Sequence, residues 1–501
     1  FRRGTPPDAI YTFKHALVQD AAYDSLLKSK RQDLHGKIAV EIEAHDPKTA
    51  DTEPEVLAHH LSAAGSAEAA IPLWQKAGEL ALKRMALTEA ISHLNKGLEL
   101  IVTLRKSPER DASELALRTT LGTAWLALKG WAAPEVWNSL HPALALAKSL
   151  GRIDALGPIY WGLVQYVMTQ GRAAESLAWA QEMLNEARAS GDADLMVQGH
   201  MAVCTCYYWM GKLVESMEHA DKVLALYDDK KHRHLVKLIN NDPKTAARVY
   251  ASQAAWRLGY PDRAVRLSDE AVKHARSLGH PFDIGYALTL GADVFDLRCE
   301  PDELRRRAEE AERLGRENSL PLLWAYLVPC RIGISLMREG KSTEGIVPLR
   351  AGVAVWDRTG GKIRSPYLKA VLAEEMAKLG DLEDALQLLD AQIEQVERPG
   401  WDEKPNYAEL LRLKGWMLSL KEDFKGAEKF YLASLRFAKE QQAKSWELRT
   451  STSLARLWQQ QGKYKEAHDL LEPVYSWFTE GLDTKDLKEA KALLEELEVA
   501  A

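Results

Sequence analysis

Leu, Trp and Tyr recur at i, i+3 and i+4 along most of the chain, and these clusters are punctuated at a regular period by a short turn flanked by small residues. One instance runs from Gly415 through the turn Glu422-Asp423-Phe424 to Ala427, and forty residues on the skeleton returns as Ala455, Gly462-Lys463-Tyr464 and Ala467. Going backwards, the turn falls at Gly380, Gly340, Glu300, Gly259, Gly211, Gly171, Gly130 and Met85. Five residues after the turn stand small residues such as Ala90, Ser176, Ser216, Ala264 and Gly345; seven before it stand Gly78, Thr123, Cys204, Ser252 and Gly333. Two helices joined by a tight turn approach closely only where the crossing carries little side chain, so both slots must be small. Val164, and Asp293 with Arg305, break the rule. A period of this length marks a solenoid. The expected fold is all-α: a right-handed α-solenoid, or superhelix, of about ten helix–turn–helix repeats.

The period sets the boundaries. Residues 1–48 lie outside it, residues 49–483 hold the repeats, and residues 484–501 form a closing helix with Leu487, Leu493, Leu494 and Leu497 on one side. Thr52 to Ala64 is expected to be helical, with Thr52 and Glu55 as a capping box and Gly65 as the stop. The 48-residue interval between Gly211 and Gly259 is the longest, its excess lying between Tyr227 and Pro243.

Trp74-Gln75-Lys76-Ala77-Gly78 with Ala81 and Ala90 resembles the tetratricopeptide pattern. Upstream, Phe13, His15, Ala16, Leu17, Tyr23, Leu26, Leu27, Arg31, Leu34 and His35 resemble the end of the winged-helix-like arm that follows the nucleotide-binding core of bacterial STAND-type signalling ATPases. Trp256-Arg257-Leu258-Gly259-Tyr260-Pro261-Asp262-Arg263-Ala264, with Lys129 to Val136, resembles the tetratricopeptide module behind proteobacterial adenylate/guanylate cyclase–ATPase fusions; Asn240-Asn241 departs from the glycine often found there. The resemblance implies a non-catalytic interaction and sensor module that controls an upstream ATPase or cyclase domain. ATP is then expected only for those upstream domains, and the partner is another protein or the upstream domains themselves. The arm-plus-superhelix layout also resembles a maltotriose-responsive activator, which implies the alternative of a small-molecule effector receptor. The chain opens at Phe1 without a methionine and reads as a fragment.

Composition narrows this further. An apolar content of 46% suits a packed core, and a net charge of −6 argues against a dedicated nucleic-acid binder. Cys204, Cys206, Cys299 and Cys330 are too scattered for a disulfide framework, which points to a cytoplasmic protein. The apolar run Leu320 to Cys330 is far short of a membrane span. Gly340-Lys341-Ser342 is a near miss for a phosphate loop, with Ser335 where the first glycine belongs. Cys204 and Cys206 face different sides of a helix and read as buried thiols. His59-His60 and His232/His234 lack further ligands at metal spacing. The run Glu303 to Glu317 reads as a solvated face, with Arg305–Glu309, Arg306–Glu310, Glu309–Arg313 and Arg313–Glu317 as i,i+4 pairs. Lys230 to His234 is too short a footprint for a polyanion. No catalytic constellation, cofactor site or metal site emerges.

The candidate site is the inner face of the superhelix. Positions three, six, ten and thirteen before each turn point inward. In the middle repeats they include Trp161, Met168, Met201, Tyr208 and Trp256; in the last three they include Tyr367, Glu374, Arg412, Trp416, Arg449 and Arg456. The surface thus passes from aromatic to polar with a cationic end. Two readings stay open: a recognition groove, with the arginines holding a carboxylate or phosphate, or a tightly wound face packed on itself.

Overall fold

The computed structural model describes residues 2–3, 10–11, 21, 23–46, 48–239 and 241–500. Apart from a two-residue antiparallel strand pair, Arg2–Arg3 with Ile10–Tyr11, the regular elements among them are helical, and they form an α-solenoid of tetratricopeptide-like hairpins. The chain divides into two compact units, residues 1–128 with 145–151, and residues 129–144 with 152–501.

The turns carry the period. Gly130, Gly171, Gly211, Gly259, Gly340, Gly380 and Gly462 all have left-handed φ, between 73° and 99°. Glycine reaches this region without a Cβ penalty, whereas Met85 (φ 60°) and Glu422 (φ 62°) adopt it against their own preference. In the hairpin expected at Glu300 the left-handed residue is Cys299 (φ 58°). The register therefore moves back by one, which places the small Ala292 in the slot seven before the turn but the larger Leu304, fully buried, in the slot five after it.

The crossings explain why the slots are small. A Cβ added to Gly333 would lie 2.7 Å from the Gly345 carbonyl, and one added to Gly345 would lie 2.5 Å from the Gly333 carbonyl. Elsewhere a serine makes the same approach through its hydroxyl. Ser176 Oγ donates to the Val164 carbonyl and Ser216 Oγ to the Cys204 carbonyl, each at 2.9 Å. Val164 is fully buried and meets the partner helix through its carbonyl oxygen.

In the first unit, helix Lys28–His45 packs on helix Pro54–Ala64, where His35 Nδ1 meets His60 Nδ1 at 2.7 Å. His60 is half-buried and His59 exposed. The capping box does not form. The helix starts at Pro54, which has no N–H to satisfy at that position, while the Thr52 hydroxyl donates back to the Lys48 carbonyl. Gly65 (φ 85°) ends it as expected. Phe13, His15, Ala16 and Leu17 lie outside the described residues. In the next hairpin, Ala67–Lys83 with Leu87–Ile101, Trp74 packs on Ala58, Ala70 and Ala77 and donates to Ser62 Oγ at 2.9 Å.

The second unit coils until distant repeats touch. The Thr169 carbonyl accepts from the Lys362 and Ile363 N–H groups, and the Gly171 carbonyl from Asp402 N–H. Lys404 N–H donates to the Trp209 carbonyl, and Ser445 Oγ to the Trp256 carbonyl 189 residues away. Carboxylates cap helix starts across the same seam: Asp402 Oδ2 accepts from Ala174 N–H, and Glu480 Oε1 from Asp262 and Arg263 N–H. Such caps satisfy donors that a helix leaves open at its first turn.

The excess between Tyr227 and Pro243 is anchored by a buried hydrogen-bond cluster. Tyr227 OH and His274 Nε2 both reach Asp242, and Asn241 Nδ2, Asp242 N–H and Thr245 Oγ1 converge on Asp283. Within it His232 is buried, Arg233 donates to the Ser277 carbonyl, and His234 pairs with Asp194 at 2.9 Å. The charged helix Pro301–Glu317 is less solvated than expected. Arg306–Glu310 forms at 3.9 Å, but Arg305 turns to Glu339, and Arg307 is buried against Ser268, Asp269 and Glu303.

Candidate functional site

The aromatic half of the inner face is closed. Trp161, Met168, Met201, Tyr208 and Trp256 are each at most 3% exposed. They sit on helices Ile153–Thr169, Ala193–Trp209 and Pro243–Arg257, whose inner surfaces meet the later part of the array. Trp256 packs edge-on to Trp446, with ring centroids 4.8 Å apart, and Trp446 Nε1 donates to the Pro405 carbonyl at 2.9 Å. Arg257 lies over both Tyr208 and Trp446 and donates to the Pro405 carbonyl and to Asn406 Oδ1. Tyr208 OH donates to Gln253 Oε1 at 2.5 Å. The groove reading is thus corrected for these five residues: tight coiling makes them core. The gap left between Tyr208 and Asp293, Arg331, Arg364 and Tyr367 is about 20 Å³, room for one water.

Beyond that gap the inner face turns ionic. Asp293 takes one oxygen to Arg331 and the other to Arg364, both at 2.7 Å. Burial raises the Asp293 pKa, but the two guanidinium groups outweigh it and hold the carboxyl below its ordinary value. Arg364 sits at φ 73°, and its N–H donates to Glu403 Oε1 at 3.0 Å. Burial pushes Glu403 up to about 8, only partly opposed by this bond and the Arg364 charge. Further along, Tyr367 OH and Arg338 Nε both reach Asp296, and Arg338 also meets Glu374 at 3.3 Å. Glu374 is half-buried at the edge of the cavity, yet Arg338, Lys378 and Arg412 overcome the desolvation and bring it to about 2.

Here the face opens into a cavity of about 480 Å³, whose lining includes Glu374, Arg412, Arg449, Arg456 and Asp486. Arg412 sits on helix Tyr407–Leu420; its Nε and Nη2 meet both oxygens of Glu409 at 2.8 Å, and Nη1 donates to Ser453. Arg449 and Arg456 project from helix Lys444–Gln460. Arg449 Nε donates to Asp486 at 2.8 Å and Nη2 to the Leu297 carbonyl. Arg456 is exposed, with no hydrogen bond or ion pair to another described residue.

The structure therefore gathers Glu374, Arg412, Arg449 and Arg456 at one cavity. Tyr367 belongs to the water-sized gap, and Trp416 is packed between two core clusters. Sequence reasoning missed Arg338 and Lys378, which line the cavity from two residues before their turns, an inward row that the offsets used did not include. It also missed Asp486, which lies outside the repeats. The near-miss loop Gly340-Lys341-Ser342 is a repeat turn, with Ser342 Oγ donating to Glu375 at 2.5 Å. Burial pushes the Cys204, Cys206 and Cys330 thiols up to about 12, leaving them unreactive.

No family model matches the chain. An uncharacterised protein of Rhizobium meliloti (strain 1021) is 23% identical over 414 residues, covering 79% of this chain and 38% of its own length. The chain thus spans well under half of that curated relative. Among solved structures, a Rap protein complexed with competence and sporulation factor is similar over 74% of this chain and 98% of its own, at a TM-score of 0.50 and 12% identity. An IFIT1 monomeric mutant with m7Gppp-AAAA covers 91% of this chain and 95% of its own at a TM-score of 0.42 and 13% identity. At such identities the Rap likeness speaks for the helical-repeat fold and for nothing finer. No helix among the described residues is long and apolar enough to cross a membrane.

Proposed function

We propose that the chain is a non-catalytic interaction and regulatory module, and that its partner engages the charged cavity at the Arg412, Arg449 and Arg456 end of the inner face. One observation carries this reading: the rest of that face is packed shut, while the cavity is open and keeps an unpaired cation in Arg456. A repeat array that rigidly displays such a surface is suited to recognition rather than to bond-making. The similar Rap protein, itself complexed with a factor, is compatible with a binding role. The resemblance of the residues at 13–35 and 256–264 to STAND-type ATPase and cyclase fusions supplies the finer reading, in which partner binding biases an upstream nucleotide-dependent domain. Nucleotide turnover by the full-length protein, measured with and without Arg456→Glu, tests it. A changed rate is expected; an unchanged rate, or a full-length frame with no nucleotide-binding domain, contradicts it.

The cavity volume also falls within the range of small-molecule sites, which favours a second reading as an effector receptor. Thermal shift against a metabolite panel separates the two, because a ligand held only by the folded state raises Tm.

A further inference from the structure

We infer that Asp486 is a built-in competitor for the cavity, holding Arg449 until an anionic group of the partner takes its place. This rests on the cavity being the partner site proposed above.

Arg449 is prepared for an anion. Its guanidinium lies 4.9 Å from the Trp256 ring centroid and 5.2 Å from that of Trp446, and the Leu297 carbonyl anchors one end. A guanidinium fixed in this way favours a two-point grip on a carboxylate. Asp486 gives it one point only, at Nε, while Nη1 is 3.8 Å from the nearest Glu409 oxygen. The two acids differ in freedom. Glu409 is 7% exposed and held at both oxygens by Arg412, whereas Asp486 is 18% exposed and can turn toward water.

The helix bearing Asp486 does not have to move. Leu487, beside it, is 2% exposed and joins Leu493, Leu494 and Leu497 in a core with Ala467 and Leu471, so the exchange needs only a side-chain swing. The second contact is at hand. Arg456 lies seven residues beyond Arg449 on one helix, about 10 Å along its axis. A segment in the extended polyproline II conformation turns once every three residues at about 3.1 Å each, so acidic side chains three residues apart share one face and lie about 9 Å from each other. The fitting ligand is therefore an extended peptide segment carrying two such carboxylates.

The test is fluorescence anisotropy of a labelled Glu-Ala-Ala-Glu peptide, blocked at both ends, on the whole chain. Wild type should bind it, and Asp486→Asn and Asp486→Ser should each bind about tenfold tighter or more, as loss of one charge-assisted competing bond allows. Arg456→Gln should bind severalfold weaker at unchanged Tm. Equal or weaker binding by both Asp486 variants overturns the competition, and the cavity reading stands if Arg456→Gln still weakens the peptide. A fall in Tm for both Asp486 variants makes the residue structural and also overturns it. Equal displacement of the peptide by pyrophosphate overturns the carboxylate class. Binding by none of the proteins overturns the inference and the cavity reading together.

Discussion

Two stretches of one inner face, built by the same repeat, have opposite fates. From Trp161 to Trp256 it presents rings and thioethers, and the coil tightens until Pro405, Asn406 and Trp446 lie against it. From Glu374 to Arg456 it presents charges, and the coil leaves a cavity. Burying rings gains free energy for every square ångström removed from water, whereas burying charges costs unless each is paired. The charged stretch answers with internal pairs, Arg338 to Glu374 and Arg412 to Glu409, and stops short of closing. Side-chain chemistry thus decides where a regular array is core and where it is surface.

The largest effect that would break this comparison is at Trp256. Trp256→Ala should cost about 3–5 kcal/mol of unfolding free energy in urea, as truncation of a buried aromatic does. A loss within about 0.5 kcal/mol, the range of a surface change, would return Trp256 to an open groove.

Next come two glutamates with opposite pH behaviour. Glu403 titrates near 8 when folded and near its ordinary 4.5 when unfolded, so between these values the folded state keeps a proton the unfolded state has lost. Its contribution to stability is full below 4.5 and is lost as pH rises toward 8. Glu374, near 2 when folded, contributes above 4.5 and loses that contribution as pH falls toward 2. Glu403→Gln keeps the acceptor for Arg364 N–H and should gain on wild type as pH rises from 5 to 8. Glu374→Gln should lose most at neutral pH and approach wild type in acid. Parallel Tm–pH curves for the two variants would contradict the assignments.

Smaller still is the seam. Asp402→Ala removes an acceptor from the start of helix Ala173–Ser190 and should cost about 1 kcal/mol, the usual value of a helix cap. An unchanged urea midpoint would mean that the seam does not hold in solution.

Much of this was legible in the chain. The spacing of small residues gave the hairpins because the crossing constraint is local: Gly333 and Gly345 need each other's missing Cβ. The hairpin at Cys299 was misplaced by one residue because a cysteine in a left-handed turn leaves no signature. The seam was illegible, since contacts such as Ser445 with Trp256 span 189 residues and depend on how a small rotation per repeat accumulates. For the same reason periodicity marked Trp161, Met201 and Arg449 alike as inward-facing without telling a sealed position from an open one.

Hydroxyl-radical footprinting of the native protein tests the sealed face most directly. Met85 and Trp477, at 43% and 36% exposed, provide reactive references of the same chemistry. The account predicts that Met168, Met201 and Trp256 stay unmodified until the protein unfolds, while Met85 and Trp477 react at once. Oxidation of Met168 and Met201 at the rate of Met85 in the folded protein would contradict it.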